Sequence, residues 1–472
     1  MPGGGMEVGE GYSSMMGLMY VFNLIVGTGA LTMPSPIYDA GWLLSLIILI
    51  ILAFMSFVTV TFVTESMAAA NALLHFRTVR HLKNVMKTEG VGNEEESQQL
   101  VEHFRTDEVI VNSLENEKVP LLLSNAVDTI SETSAEYFNI TERIEMGKMA
   151  TLFFNRTGKN IFYICIAVYL YGDLAIYAAA VSKSLRDVSC TFQPEEAFCN
   201  VTLNSTVQCW GNLPVSRGGA YRIFVISFML LLGPFVFFNV QKTKYLQIFT
   251  TIMRWLAFST MIILASVALF KGKGKGHPSA ANIYGIPNLF GVCIFAFDHP
   301  NSLYTLNFEP QNCNTSSTGE SIIPQDFWIL RYFLALFPVF TLSTNFPIIA
   351  ITLRNNLKSL FLKENKRYSF FVERILFPLL AVVPPIAIAL ITENLTFLVG
   401  FTGSYAGAAI QYVVPALLAH FSRKHILNTL GIGVKNKHAS PFGPSFWIIF
   451  VLFWALLCTI FVTVNYFLPN LN

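Results

Sequence analysis

The reading of the fold starts from Asn23-Leu-Ile-Val-Gly-Thr-Gly-Ala-Leu-Thr-Met-Pro34, inside the first apolar segment of the chain. Gly27 and Gly29 flank Thr28, and Pro34 follows within two turns. A membrane helix that carries two glycines and a proline so close together has a backbone suited to opening. Opening frees N–H and C=O groups that hydrocarbon cannot satisfy, so such a break is tolerated only where it is buried in protein or lines a cavity. Broken helices near the midplane are where secondary transporters hold substrates and ions. The competing reading is a packing kink, because glycine and proline are common in membrane helices.

The composition around this segment points to a membrane protein. Hydrophobic residues make up 53% and charged residues 13%, with a mean hydropathy of +0.52. Soluble domains average about 25% charged residues. A formal net charge of +2 says nothing about a nucleic-acid partner, the distribution of charges matters more, and none is expected. The partner implied is the lipid bilayer. Met1 to Gly11 lacks lysine and arginine, so the first apolar run reads as a retained helix rather than a signal peptide.

Roughly 20 apolar residues cross a bilayer core. Nine stretches qualify or nearly do: 15–34, 42–63, 161–181, 223–240, 250–270, 327–353, 375–391, 395–419 and 446–468. The expected organisation is a tail at 1–14, a transmembrane region over 15–468 and a short tail at 469–472. Two long loops, 71–155 and 182–222, interrupt the spans. Lysine and arginine near span ends favour a cytoplasmic amino terminus: Arg77, Arg80, Lys83, Lys242, Lys244, Arg354, Lys358, Arg423 and Lys424 then share one side. The Lys271/Lys273/Lys275 run is the counter-example.

The 182–222 loop then faces outward. It holds Cys190, Cys199 and Cys209 with sequons at Asn200 and Asn204, and Asn314 falls on the same side. Sequons are used, and disulfides persist, on that face. Cys313 is a fourth candidate for pairing, and connectivity is not deducible from sequence. The span ending at Phe270 and the 327–353 span meet on this side, so the chain between them crosses an even number of times. Only one half-length apolar stretch, 288–297, is present there. It either re-enters from the outer face or the chain lacks residues that complete two crossings.

The loop from about 71 to 155 is acidic and polar, carrying Glu94-Glu-Glu96, Glu102, Asp107 and Glu108. Few aromatics and no helical stripe predict that it is largely disordered. Within it, Glu117-Lys-Val-Pro-Leu121-Leu122 resembles the adaptor-recognised sorting signal of endosomal and lysosomal membrane proteins, which makes a clathrin adaptor a candidate partner. Such short motifs also recur by chance.

Three places carry candidate chemistry. Asp173 lies well inside its span, where a carboxylate costs about 2.5–3.5 kcal/mol on insertion scales, so it should face a cavity or a partner. It is a candidate for holding a cation or a proton, or a structural acceptor for Tyr171 or Tyr177. Thr341-Leu-Ser343-Thr344-Asn345-Phe-Pro347 offers hydroxyl, amide and freed carbonyl oxygens suited to a hard cation, or a small polar helix interface. Gly400, Gly403 and Gly407 fall on one helical face and read as a packing surface. No enzyme is expected: every histidine lies in a loop or at a span end, and no His-Glu-x-x-His or Gly-x-Ser-x-Gly motif appears. A paired intramembrane aspartate and metal-ligand spacing are missing too. No cofactor is expected.

Val26-Gly-Thr-Gly-Ala-Leu31 preceded by Asn23 resembles the first-helix signature of the amino acid/auxin permease family. Further blocks carry the resemblance, including Tyr169-Leu-Tyr-Gly-Asp-Leu-Ala-Ile-Tyr177, Gln241-Lys-Thr-Lys-Tyr-Leu-Gln247 and Ser343-Thr-Asn-Phe-Pro-Ile-Ile349. The resemblance implies an all-α polytopic membrane protein with an inverted-repeat fold of five plus five helices and one added helix. It implies that Gly27, Thr28, Gly29, Ala30 and Leu31 form an unwound segment whose N–H groups hold an amino-acid carboxylate. It further implies that Asn23, Ser343, Thr344 and Asn345, with Asp173, lie near the coupling ion, Na+ or H+. Phe290-Gly-Val-Cys-Ile-Phe-Ala-Phe297 resembles the opening of the sixth helix, after which Asp298-His-Pro leads straight to Tyr304-Thr-Leu-Asn-Phe308. The second half of the sixth helix and the seventh are missing from this pattern. Two functions follow as expectations: ion-coupled amino-acid transport, or an amino-acid sensor with a permease-like fold that does not transport.

Overall fold

The computed structural model describes residues 37–38, 40–89, 138–140, 144–191, 205–211, 213–237, 244–271, 279–282, 285–286, 289, 328–362, 368–431 and 436–467. The first apolar span, the 90–137 interior of the acidic loop, the tail 469–472 and all of 288–297 except Leu289 lie outside them.

The elements are α1 (Trp42–Glu89), α2 (Met146–Phe153), α3 (Arg156–Ser189), a hairpin of β1 (Gln208–Trp210) and β2 (Leu213–Ser216), and α4 (Arg217–Leu232). Then come α5 (Lys244–Phe270), α6 (Trp328–Phe361), α7 (Phe377–Ile391), α8 (Leu395–Phe401), α9 (Val414–Leu430) and α10 (Ser445–Phe467). Two π-helical stretches, Thr402–Gly407 and Ala409–Val413, join α8 to α9. Among the described residues, eight helices are long and apolar enough to cross a membrane. They fall on eight of the nine apolar stretches read from the sequence. The protein is a mostly helical, polytopic membrane protein.

α3 is the axis of the bundle. In its most apolar window 67% of residues are buried inside the protein, against 22% for Ile248–Val267 of α5. Every residue from Asp173 to Ser182 is buried. The alanines at 175 and 178–180 let neighbouring backbones approach, as small residues do at membrane helix interfaces. α4, α6, α7 and α8 close around this face, with Tyr221, Phe228, Phe346, Phe377 and Leu398 in one core. A second core joins α1 to α10 and to the end of the π-helical run, through Met55, Phe62, Tyr412, Val451 and Ala455.

Helix directions follow from these contacts. Phe258 of α5 packs edge-on against Phe337 of α6, with Leu264 and Leu330 in the same small core, so the two run antiparallel. The chain therefore leaves α5 and enters α6 at the same end, and any crossings between them come in pairs. At that end the first N–H groups of α1 find carbonyls outside the helix. Trp42 donates to Ser279 O at 3.2 Å and Leu43 to Ala280 O at 3.1 Å. Gly41, at φ +88°, permits this because any Cβ there would strike the 279–281 backbone.

Two loop expectations need correction. The 71–155 stretch is helical at both edges: α1 continues to Glu89, and α2 buries Met149, Ala150 and Phe153 against α1 and α9. Leucine and alanine at 67–74 supply the buried stripe that extends α1. The 182–222 stretch is α3 to Ser189, then the hairpin, then α4 from Arg217. A Cys190–Cys209 disulfide ties the hairpin to the end of α3, and the Trp210 indole donates to Ser189 O at 2.9 Å. Arg186 bridges Asp187 at 2.9 Å and Glu393 at 3.5 Å, fastening the α7–α8 turn to the same end.

A Cβ on Gly172 would collide with Thr402, whose Oγ1, Cγ2 and Cβ (2.9 Å) line the contact. Thr402 is β-branched and buried, so it has little freedom to yield. Gly172→Ala is expected to lower stability by ~1–3 kcal/mol through overpacking, read as a lower melting temperature in detergent. Adding Thr402→Ala should restore most of the loss.

Candidate functional site

Asp173 sits midway along α3 and is fully buried. Tyr177, one turn further, is buried beside it. Arg254 of α5, only 1% exposed, and Asn345 of α6 lie around the same tyrosine and interact with it together with Asp173. The antiparallel α5–α6 pair brings Arg254 level with Thr341, one turn from Asn345, and α6 packs directly on α3. One carboxylate, one guanidinium, a phenol and an amide from three helices thus share a patch at the middle depth of the bundle.

Single charges are expensive there, while opposite charges in one patch offset part of the desolvation cost. Such a set has definite chemical abilities. A carboxylate takes a proton or a cation, a guanidinium holds a carboxylate, and tyrosine and asparagine supply neutral dipoles.

The π-helical run borders this patch through the Gly172–Thr402 contact. Thr402, Gly403, Ser404, Ala406 and Gly407 are buried. The packing reading of Gly400, Gly403 and Gly407 therefore needs refining, because the wider π turns change which residues share a face. π turns inside α-helices occur frequently at functional sites. Among the described residues, the buried Ser404 hydroxyl and Gln411 carbonyl oxygen have no hydrogen-bond partner. Gln411 Nε2 donates to Ser56 Oγ of α1 at 2.8 Å.

On α6 the hydroxyl cluster is partly spent within the helix. Thr341 Oγ1 donates to Phe337 O at 3.1 Å, and Thr344 Oγ1 donates to Thr341 O at 2.9 Å. Ser343, Thr344 and Asn345 are half-buried. Pro347 has no N–H for the carbonyl four residues back, that of Ser343. Of this trio, Asn345 reaches the patch around Tyr177.

Other candidates lie outside the described residues: Asn23, Gly27, Thr28, Gly29, Ala30 and Leu31; Glu117, Leu121 and Leu122; Asn200, Asn204 and Asn314; and Cys199 and Cys313. Arg254 was missed by the sequence reading. It is an ionisable residue inside an apolar stretch, and the rule applied to Asp173 applies to it equally.

The chain is 47% identical to transmembrane protein 104 of Homo sapiens, with 98% of each chain covered. The Drosophila melanogaster homolog is 41% identical, over 98% of this chain and 99% of the relative. The chain belongs to the transmembrane protein 104 family. A homolog in Dictyostelium discoideum, 32% identical over 98% of each chain, extends the family well beyond animals. No family model matches the chain. The alignment with the human member runs over 508 positions, 36 more than the 472 residues present here. At least that many positions hold a residue in the relative and none in this chain.

Arg254→Gln is expected to lower stability by about 1–3 kcal/mol, because it disturbs the balance of charge around the buried Tyr177, on which Asp173 and Arg254 act with opposite sign. Adding Asp173→Asn should recover part of that loss, and thermal unfolding of the two single variants and the double variant measures the coupling.

Proposed function

We propose that this protein is a secondary active transporter, a symporter that moves amino acids by alternating access with Na+ or H+ as the coupling ion. The observation that carries the reading is the charged and polar patch of Asp173, Tyr177, Arg254 and Asn345 at middle depth, bordered by a π-helical run. A membrane protein has little reason to retain intramembrane charges at such cost unless they line a substrate or ion path. The resemblance to amino acid/auxin permeases supports the same reading. It adds the five-plus-five inverted repeat with one further helix, a substrate carboxylate held at 27–31 and a coupling ion near Asn23 and 343–345. The same reading has the amino terminus in the cytoplasm and favours an endosomal or lysosomal membrane over the plasma membrane, with a clathrin adaptor as the reader of the 117–122 signal.

The relatives' extra residues bear on the completeness of the path. A crossing takes roughly 20 residues, so 36 positions approach the length of a pair of crossings, and parity admits such a pair between α5 and α6. Sequencing the transcript across residues 290–310 is expected to recover coding sequence for that pair.

Uptake into proteoliposomes across an amino-acid panel tests the main reading. An imposed Na+ or H+ gradient is expected to accelerate uptake of at least one amino acid. Asp173→Asn should cut that acceleration by about tenfold while the protein stays folded, as loss of an intramembrane ion site does. Uptake indifferent to both gradients would overturn coupling. Ligand-dependent capture of a partner with no flux at all would favour the sensor.

A further inference from the structure

At the end of the bundle opposite the disulfide hairpin, α1 and α9 are joined by a denser polar contact than any at the hairpin end. Glu65 of α1 receives two hydrogen bonds from Arg423 of α9, Nε to Oε1 at 2.9 Å and Nη2 to Oε2 at 2.7 Å. Both charges are largely withdrawn from solvent, with side chains 8% and 24% exposed. The segment 436–443, which links α9 to α10, is strapped across the pair. Ser440 N donates to Glu65 Oε2 at 3.2 Å, Asn436 Nδ2 to Glu65 O at 3.2 Å, and Arg423 Nη1 to Gly443 O at 2.7 Å. The Ser440 hydroxyl also meets Thr61 Oγ1 at 2.8 Å, and the guanidinium lies over the Phe62 ring at 5.5 Å.

One turn further along, an aromatic wedge fills the same seam. Phe138 is fully buried between Ala68 and Ala72 of α1 and Ile426 and Leu430 of α9. It belongs to no helix, and the next two residues, Asn139 and Ile140, are exposed. A single phenyl ring is thus inserted between two helices by a segment that is otherwise at the surface.

We propose that the Glu65–Arg423 pair, the 436–443 strap and the Phe138 wedge form a releasable lock that closes this end of the protein between α1 and α9. The chemistry suits release. A bidentate pair with satisfied outer lone pairs is well held when dry, and opening at the end of a bundle returns both charges to water, not to hydrocarbon. The seam behind it is smooth: Ala68, Ala72 and the Ser66–Ser422 contact at 3.4 Å present small side chains that separate without unthreading. Interfaces with two discrete packings are what switching proteins use. A lock of this kind is a statement about conformation and stands whichever solute the protein handles.

The test uses the full chain in detergent with a reporter at Ser422→Cys, at the seam, read by maleimide alkylation against the parent chain, which controls for the native thiols. Labelling through transient opening tracks the open population, so Glu65→Gln is expected to speed it about tenfold and Phe138→Ala by about fivefold. The charge-swapped Glu65→Arg/Arg423→Glu variant should label more slowly than Glu65→Gln but faster than the intact lock, since pairing is restored while Ser440 N and Gly443 O then face groups of the wrong polarity. A staple that merely adds stability would lower the melting temperature and leave labelling below the transition unchanged, and that result would overturn the proposal. Phe138→Ala leaves both charges in place. If Glu65→Gln yields no folded protein, an unchanged rate in the wedge variant overturns the proposal by itself.

Discussion

Everything in this bundle depends on keeping Asp173 and Arg254 away from lipid. A carboxylate or guanidinium facing hydrocarbon is costly at middle depth, so the helices carrying them must turn those faces inward. That requirement puts α3 at the centre, because Asp173 begins a run in which every residue to Ser182 is buried. Neighbours then have to come close, and the alanines of α3 together with Gly172 remove the side chains that would hold them off. The apolar core around α3 is as much a consequence of the buried charge as a source of stability. Leucine-rich helices gain little by leaving lipid for one another, so packing and polar contacts select the partners.

The two ends of the bundle are fastened differently. At the hairpin end the fastening is covalent: Cys190–Cys209 fixes the hairpin to α3, and Arg186 holds the α7–α8 turn through Glu393. A disulfide does not open on the timescale of a conformational cycle. At the opposite end the α1–α9 contact consists of hydrogen bonds and one buried ring. Those interactions form and break without chemistry. The disulfide keeps the hairpin on α3, while the contacts between helices at either end are non-covalent.

Most of the architecture was legible because membrane helices are specified by length and hydropathy alone. Eight apolar stretches became eight helices, several of them longer than the stretch that announced them. α1 illustrates why the ends were misjudged. Its residues beyond Phe62 include Glu65, His75 and Arg77, which break an apolar window, yet the helix continues because Glu65 pairs with Arg423 and the alanines at 68–72 are buried. Hydropathy does not register such compensation. The patch at middle depth was half legible. Asp173 stood out against its apolar neighbours, whereas its grouping with Arg254 and Asn345 is a tertiary fact with no trace in sequence spacing. The π-helical run was hidden for another reason: a change of turn size leaves the residue types untouched, and only the backbone reveals it.

The arithmetic of crossings constrains the connection between α5 and α6. α5 and α6 run antiparallel and meet the same end, so the connection between them crosses an even number of times or not at all. Losing one helix from that connection would invert every span after it, placing Arg423 at the wrong end to meet Glu65. Losing a pair inverts nothing. Each later helix keeps its direction, Arg354 still reaches Val236 O at 2.8 Å, and the α3 core, drawn from α4, α6, α7 and α8, stays complete. A change by paired crossings is therefore silent in the packing of the described helices. Among the described spans that hold a buried charge, α5 is the least enclosed, with 22% of its window buried. Arg254 is nonetheless 1% exposed, so this helix turns its charged face toward Tyr177 of α3.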